Sequence, residues 1–93
     1  MARIIIPTPL RKFSQGERSF ETGASTVLEA LISLTDAYPQ IKNHIYDTEG
    51  KLRSFIKIFV GEDDIKDLKN GETYVADKTV ISIVPAIAGG KGE

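Results

Sequence analysis

The spacing of apolar residues changes along the chain, and each spacing predicts a different element. Runs rich in β-branched and aromatic residues predict three strands, at residues 3–6, 55–60 and 79–84. The first run ends at Pro7 and the last at Pro85, because proline donates no ladder hydrogen bond. A weaker alternation over residues 17–21 predicts a hairpin partner for the first strand. Ile65 and Leu68 predict a short edge strand or turn in the acidic region beyond the second run.

A single segment has a clear helical period. Thr26 is followed three residues later by Glu29, which is the spacing of a capping box, and Pro39 disfavours helical backbone in the residue before it. The pattern therefore predicts a helix from about Thr26 to Ala37, with one further helical turn within residues 40–53. Its apolar residues follow at helical spacing: Val27, Leu28, Leu31, Leu34 and Tyr38.

The order of these elements predicts an α+β fold, in which one main helix packs on one face of a mixed sheet of four to five strands. We expect Val27, Leu28, Leu31 and Leu34 to face the sheet. The expected sheet residues of this core are Ile4, Ile6, Ile58, Val60 and Ile83. A length of 93 residues suits one domain, which we place at residues 1–85, with residues 86–93 as a flexible tail.

Composition excludes several functions. The chain has no cysteine, which removes disulfides, thiolate nucleophiles and cysteine zinc sites. A net charge of -1 gives no general attraction to nucleic acid or to anionic membranes, and no apolar run is long enough to span a bilayer. The first residues are too short an apolar stretch for a signal peptide, so we expect a cytoplasmic protein.

No side-chain motif predicts catalysis or a metal site. His44 is the only histidine, and we interpret it as a surface residue. The acidic segment 62–67 has Ile65 where a calcium loop needs a ligand. Gly89-Gly90-Lys91 lacks the first glycine, the Ser or Thr and the following helix of a phosphate loop. We therefore expect no bound cofactor, no metal and no enzyme activity in the chain itself.

The unusual feature is the tail. From Ala86 to Gly90, an extended chain spans roughly 17 Å. Apart from Ile87, this stretch, which includes Ala88 and Gly89, holds nothing larger than alanine, so it can thread a narrow channel. Glycine also lets catalytic groups of a partner approach the backbone carbonyl closely. The alternative is an inert, frayed chain end.

The tail, read with the rest of the chain, resembles the ThiS/MoaD-like family of β-grasp, ubiquitin-like sulfur carriers. The resemblance covers nearly the whole chain and is most similar to the branch that carries sulfur for cysteine-type amino-acid biosynthesis. It rests on segments that occur in order: residues 6–11, Thr26-Val27, Tyr38-Pro39, residues 55–60 and residues 83–90. In two places the chain departs from the family pattern: Asp77-Lys78 stands where a Gly-Asp pair is usual, and Lys91-Gly92-Glu93 follows the second glycine.

The resemblance implies a carrier that serves as a co-substrate. A ubiquitin-activating-type enzyme would consume ATP to adenylate Gly90, and a thiocarboxylate would form there. A sulfur-acceptor enzyme, for which a PLP-dependent sulfhydrylase is the candidate class, would receive the sulfur. Because Lys91 makes the Gly90 carbonyl part of an amide, a JAMM-type zinc metalloprotease would first cut between Gly90 and Lys91. The alternative for residues 91–93 is a cloning remnant.

Other functions remain open for the same tail. These are a ubiquitin-like protein modifier, the small subunit of molybdopterin synthase, a thiamine sulfur carrier, and a β-grasp interaction domain with an inert tail. We expect a partner to dock on the sheet beside the last strand, with Phe59 as the leading contact and Glu62, Asp63 and Asp64 steering its approach. The alternative places Phe59 in the core.

Overall fold

A mixed sheet forms one layer of the fold in a computed structural model, which describes residues 1–85. Its five strands are β1 (Ala2–Ile5), β2 (Ser19–Thr22), β3 (Ile56–Val60), β4 (Asp63–Asp64) and β5 (Val80–Pro85). They lie in the order β2-β1-β5-β3-β4, and β1 and β5 are parallel while every other neighbouring pair is antiparallel. The predicted strands and the hairpin are confirmed, and the acidic region does contain a short edge strand, but this strand is Asp63–Asp64 and does not include Ile65 or Leu68.

Two helices form the second layer: α1 (Val27–Ala37) and α2 (Pro39–Ile45). Thr26 caps α1, because its side-chain oxygen accepts a hydrogen bond from the Glu29 N–H at 3.2 Å. The Glu29 carboxylate reaches back to the Ser25 N–H at 3.1 Å, one residue before the position that a capping box uses. Pro39 ends α1 as predicted and also begins α2. Within residues 1–85, no helix is long and apolar enough to cross a membrane.

The core lies between the two layers and consists mainly of aliphatic side chains. Alternate residues of the central strands point into it: Ile4 of β1, Ile56 and Ile58 of β3, and Ile81 and Ile83 of β5. The helices add Val27, Ala30, Leu31, Leu34, Ile41 and Ile45. The predicted mixed sheet with a helix packed on it is therefore confirmed, as is the burial of the predicted core residues Ile6 and, in part, Val60.

The expectation that Leu28 packs on the sheet is wrong. The Leu28 side chain is 47% exposed, and Ala30 occupies the buried stripe instead. Leu28 lies on the outer side of α1 near the chain at Gly71, where a Cβ would lie 3.3 Å from that of Leu28. Because apolar residues occupy two sides of this helix, its periodicity alone did not decide which side meets the sheet.

Three 3-10 helices complete the described chain: Thr8–Phe13, Ile65–Asp67 and Asn70–Glu72. The first was not predicted, and it buries Leu10 against the core. Ile65 is buried at the start of the second, as expected of an anchor, whereas Leu68 is 41% exposed and does not anchor the turn. Asn70, with φ of +52°, has the left-handed backbone conformation at the start of the third.

Candidate functional site

The position of β5 decides where the predicted site lies. This strand is in the middle of the sheet, and its last residue, Pro85, pairs with Ile56 of β3. Residues 86–93 continue from Pro85, which we call the tail root. The predicted site residues of the tail lie outside the described residues: Ala86, Ile87, Ala88, Gly89, Gly90 and Lys91.

The sheet face turned away from the helices carries apolar side chains around the tail root. On β5, Val80 and Val84 are each 40% exposed, with Ser82 between them. Ser82 is paired with Ile5 of β1 on one side and with Phe59 of β3 on the other, and both side chains are half-buried. We call the surface formed by Ile5, Phe59, Val80, Ser82 and Val84 the open face.

Phe59 thus lies on the open face and not among the core residues. Its strand neighbours Ile58 and Val60 point to the core, so the alternation of β3 places Phe59 on the other side. Beyond it, at the sheet edge, Phe59 pairs with Asp64 of β4. The structure therefore brings Phe59 together with Asp64, two residues that the sequence singled out, on a surface open to a partner.

The predicted acidic group lies at the other end of β5 from the tail root. Glu62 and Asp63 are exposed, and the Gly61 N–H just before them donates to the Val80 carbonyl at 2.9 Å. Val80 and Pro85 are separated by the length of β5, roughly 16 Å at the usual rise of a strand. Asp64 is half-buried, and its carboxylate accepts a hydrogen bond from the Lys66 N–H at 2.9 Å, which caps the 3-10 helix Ile65–Asp67.

A groove of about 450 Å³ adjoins the tail root. Among the residues that line it are Lys12, Phe13, His44, Arg53, Phe55 and Pro85. We call it the tail-root groove. The Phe13 and His44 rings are stacked, with centroids 4.2 Å apart, and the Lys12 ammonium lies 5.2 Å from the Phe13 centroid. Phe55 also lines the groove, and its side chain is 40% exposed.

The charges of the tail-root groove are positive. The Arg53 guanidinium is held in place by the Asn43 carbonyl, which accepts from Nη2 at 3.0 Å and from Nε at 3.3 Å. No acidic residue lines the groove within residues 1–85, where neither Lys12 nor Arg53 forms a salt bridge. The nearby Asp47 lies outside the lining. Its pKa is lowered chiefly by a hydrogen bond from the Lys51 backbone and in part by the charge of Arg53.

His44 is exposed, as its interpretation as a surface residue required, but it is also part of the stacked pair in this groove. Across residues 1–85, histidine and carboxylate side chains form no cluster of three or more that could bind a metal ion.

The tail-root groove was not predicted from the sequence. Its charged and aromatic residues come from three separate segments, at residues 12–13, 44 and 53–55, and form no motif. They meet because the unpredicted 3-10 helix Thr8–Phe13 packs near α2, and because the register of β3 with β5 places Phe55 near Pro85. The one signal in the sequence was a local excess of positive charge, because residues 1–20 hold four basic residues and one acidic residue.

The element order and the central β5 define the class of protein as a β-grasp, ubiquitin-like protein. The chain belongs to the ThiS family, which matches residues 4–90. The predicted family resemblance is therefore confirmed.

Several relatives support this assignment. The sulfur carrier protein CysO of Mycobacterium tuberculosis is 32% identical over 89 residues, which cover 94% of this chain and 96% of that protein. The crystal structure of M. tuberculosis CysO superimposes with a TM-score of 0.81 at 32% identity, over 94% of this chain and 100% of the other. A chain of the Amycolatopsis orientalis BexX/CysO complex gives a TM-score of 0.86 at 34% identity, over 97% and 100%.

A third similar structure bears a different name. The small archaeal modifier protein 1 of Methanosarcina acetivorans has a TM-score of 0.85 at 27% identity, over 96% of this chain and 95% of that one.

The family and the CysO relatives together confirm the prediction that the chain is a sulfur carrier and not an enzyme.

Proposed function

We propose that this protein carries sulfur as a thiocarboxylate on Gly90, after Gly90 has been freed as a chain end and adenylated by a partner enzyme. The observation that carries the proposal is where the family match stops. It runs from residue 4 to residue 90, so it ends on the second glycine of Gly89-Gly90 and leaves Lys91-Gly92-Glu93 outside. The similarity to CysO sulfur carriers over 94% of the chain supports the same function.

The chemistry explains why such a carrier needs an activating enzyme. An α-carboxylate has a pKa of roughly 3.5, so Gly90 is an anion at neutral pH and a poor electrophile. An oxygen of that carboxylate attacks the α-phosphate of ATP, and pyrophosphate leaves. A sulfur donor then attacks the acyl carbon, AMP leaves, and a thiocarboxylate remains. The activating enzyme supplies the catalytic groups, while Ala86, Ile87 and Ala88 let the tail reach them.

Residues 91–93 must be removed before adenylation can begin. While Lys91 is attached, the Gly90 carbonyl belongs to an amide and has no carboxylate oxygen to attack ATP. A JAMM-type zinc metalloprotease would cut this bond. Its metal-bound water, with a lowered pKa, adds to the Gly90 carbonyl carbon, and the Lys91 amine leaves with a proton. The alternative, in which residues 91–93 are a cloning remnant, is tested by the mass of the protein from its native cells.

The sulfur would go to an acceptor enzyme of cysteine-type or homocysteine-type amino-acid biosynthesis. A PLP-dependent sulfhydrylase is the class that we propose, because the thiocarboxylate sulfur is a nucleophile that can add to an activated amino-acid substrate. The protease could then release the new amino acid by cleaving its bond to Gly90. We place the carrier in the cytoplasm, where ATP is available.

The open face would bind the activating enzyme. Val80 and Val84 offer apolar contact area on β5, the strand that leads to the tail root, and Phe59 adds to it from the neighbouring β3. A partner that covers this face while it holds the tail would also approach Glu62 and Asp63 at the far end of β5. This position supports their proposed role in steering.

A protein modifier is the second candidate, and the similarity to small archaeal modifier protein 1 favours it. In that function, the activated Gly90 carbonyl would be attacked by a lysine amine of a target, and AMP or the enzyme's sulfur would leave. Covalent species heavier than the chain would then accumulate in native cells. A carrier would appear only at its own mass or with a thiocarboxylate.

The experiment that tests the choice of residue compares the chain ending at Gly90 with its Gly90→Ala variant. We expect equal melting temperatures, because the substitution lies beyond the core residues of 1–85, and a loss of ATP-pyrophosphate exchange of about 100-fold or more with the cognate activating enzyme, because a Cβ prevents close approach. Equal exchange by the two forms would show that the enzyme's channel accepts a Cβ, so that close approach would not require glycine at residue 90.

A further inference from the structure

We propose that the tail-root groove is the docking site for an acidic segment of the enzyme that activates Gly90, and that an apolar side chain of this segment seats against Phe55. The inference rests on the proposed function and extends it, because it adds a second contact surface, separate from the open face, and states the chemistry of the partner that fits it.

The tail-root groove lies close to the residue that the partner enzyme must bind. Pro85 is both the tail root and part of the groove lining, and Gly90 lies at most roughly 17 Å farther along an extended chain. An enzyme that holds the Gly90 carboxylate in its active site must therefore place protein surface close to this groove. The groove is thus continuous with the surface that any such partner has to cover.

The second step is charge. Lys12 and Arg53 are positive, and no acidic residue from the described part of the chain lines the groove; Asp47, outside the lining, offsets part of the Arg53 charge. The Arg53 donors are fixed by the Asn43 carbonyl, and the Lys12 ammonium is near the Phe13 ring, so both charges are held at the groove before a partner arrives. A carboxylate-bearing segment is the complement of such a surface.

The third step is the apolar content. Phe55 is 40% exposed, and it lines the groove together with Pro85 and the stacked Phe13–His44 pair. Aromatic side chains beside fixed cations are typical of the anchor positions of interfaces, which are enriched in aromatic residues and arginine. The groove therefore suits a segment that combines carboxylates with one apolar side chain.

The test measures KM for the carrier in ATP-pyrophosphate exchange, using the form that ends at Gly90, and the melting temperatures of this form and of the full chain are measured beside it. Lys12→Glu changes one groove charge, and Lys69→Glu makes the same change at an exposed position just before the 3-10 helix Asn70–Glu72. Phe55→Ser removes the apolar contact, and Leu68→Ser is its control at nearly equal exposure, 41% against 40%.

We expect Lys12→Glu to raise KM about tenfold at low salt, with the difference shrinking as salt is added, and to leave kcat unchanged. Phe55→Ser should raise KM about fivefold at every salt concentration. Both controls should stay within about twofold of the parent.

Three results would overturn the proposal. Equal KM values for Lys12→Glu and Lys69→Glu, with normal exchange by the parent, would refute the groove and leave the proposed function standing. No exchange by the parent would refute the proposed function and the groove with it. If the groove variants instead shift the melting temperature of the full chain but not of the shortened form, the groove holds the chain's own residues 91–93 and the proposal is wrong.

Discussion

Lys78 adopts a left-handed backbone conformation, with φ of +69°, in the turn that leads into β5. The turn is closed by hydrogen bonds: the Thr79 N–H donates to the Ala76 carbonyl at 3.1 Å, and the Ala76 N–H donates to the Thr79 hydroxyl at 3.0 Å. The Lys78 N–H donates to the Met1 carbonyl at 3.0 Å and so ties the turn to the chain beside β1. A residue with a Cβ is strained in this conformation.

We therefore expect Lys78→Gly to stabilise the domain. Relief of the strain is worth about 1–2 kcal/mol, and the extra freedom of glycine in the unfolded chain offsets part of it, which leaves a gain of about 0.5–1 kcal/mol and a melting temperature a few degrees higher. Lys78→Ala is the control, because it removes the exposed side chain and keeps the Cβ. If Lys78→Ala stabilises as much as Lys78→Gly, backbone strain is not the cause.

The same residue shows what the sequence can tell at this scale. The departure from the usual Gly-Asp pair was visible in Asp77-Lys78, but the positive φ of Lys78 was not, because the lysine itself does not signal a left-handed turn. Thr26, in contrast, was identified as a cap because its spacing to Glu29 is a purely local pattern, and the structure confirms the hydrogen bond.

At the scale of elements, α1 separates what periodicity predicts from what packing decides. The bounds of the helix follow from the cap and from Pro39, and both were predicted. Which apolar residues face the sheet depends on how the helix lies across the strands, and that is a tertiary property. Leu31 is 2% exposed and Leu28 is 47% exposed, although both belong to the same predicted stripe.

This difference gives a matched pair of variants. Leu31→Asp places an unpaired carboxylate in the core, at a cost of several kcal/mol against a total stability of about 10 kcal/mol, and we expect it to unfold the domain or nearly so. Leu28→Asp makes the same chemical change at an exposed position in the first turn of α1, where a negative charge is favourable, and should change stability by no more than about 1 kcal/mol. Circular dichroism melts of both variants test this. A Leu31→Asp variant that melts like the parent would mean that the buried side of α1 is misassigned.

The strands follow the same division. The runs that form β3 and β5 were predicted from composition, whereas β4 is only two residues long and acidic, Asp63–Asp64, and was expected only as an edge strand or turn. The 3-10 helix Thr8–Phe13 has a single buried residue, Leu10, and no period to detect. Elements this short are set by their neighbours and not by their own sequence.

At the scale of the whole molecule, the charges are separated along β5. The acidic residues lie near its start and the tail-root groove near its end, so a partner that covers the open face would meet charges of opposite sign at the two ends. The sequence showed both charge excesses, but their distance from the tail depends on the sheet register. For that reason the acidic group could be proposed from sequence, whereas its place opposite the tail root could not.

The steering role of the acidic end can be tested by charge reversal. We expect Glu62→Lys and Asp63→Lys, combined with Asp64→Asn to keep an acceptor for the Lys66 N–H, to slow association with the activating enzyme about tenfold at low salt and not at about 1 M salt. Asp36→Lys with Glu49→Lys reverses two exposed charges away from β5 and serves as the control. If the charge-reversed variant associates at the rate of the parent at every salt concentration, the acidic residues do not steer the enzyme.

We propose that the Gly90 carboxyl group becomes a thiocarboxylate, and that this reaction cannot occur while residues 91–93 are attached. The direct measurement is intact mass after the full chain, or the form that ends at Gly90, is incubated with the activating enzyme, ATP and a sulfide source, without protease. We predict that the shortened form gains the mass of one oxygen replaced by sulfur and that the full chain is unchanged. A full chain that gains the same mass, or a shortened form that gains none, would contradict the account.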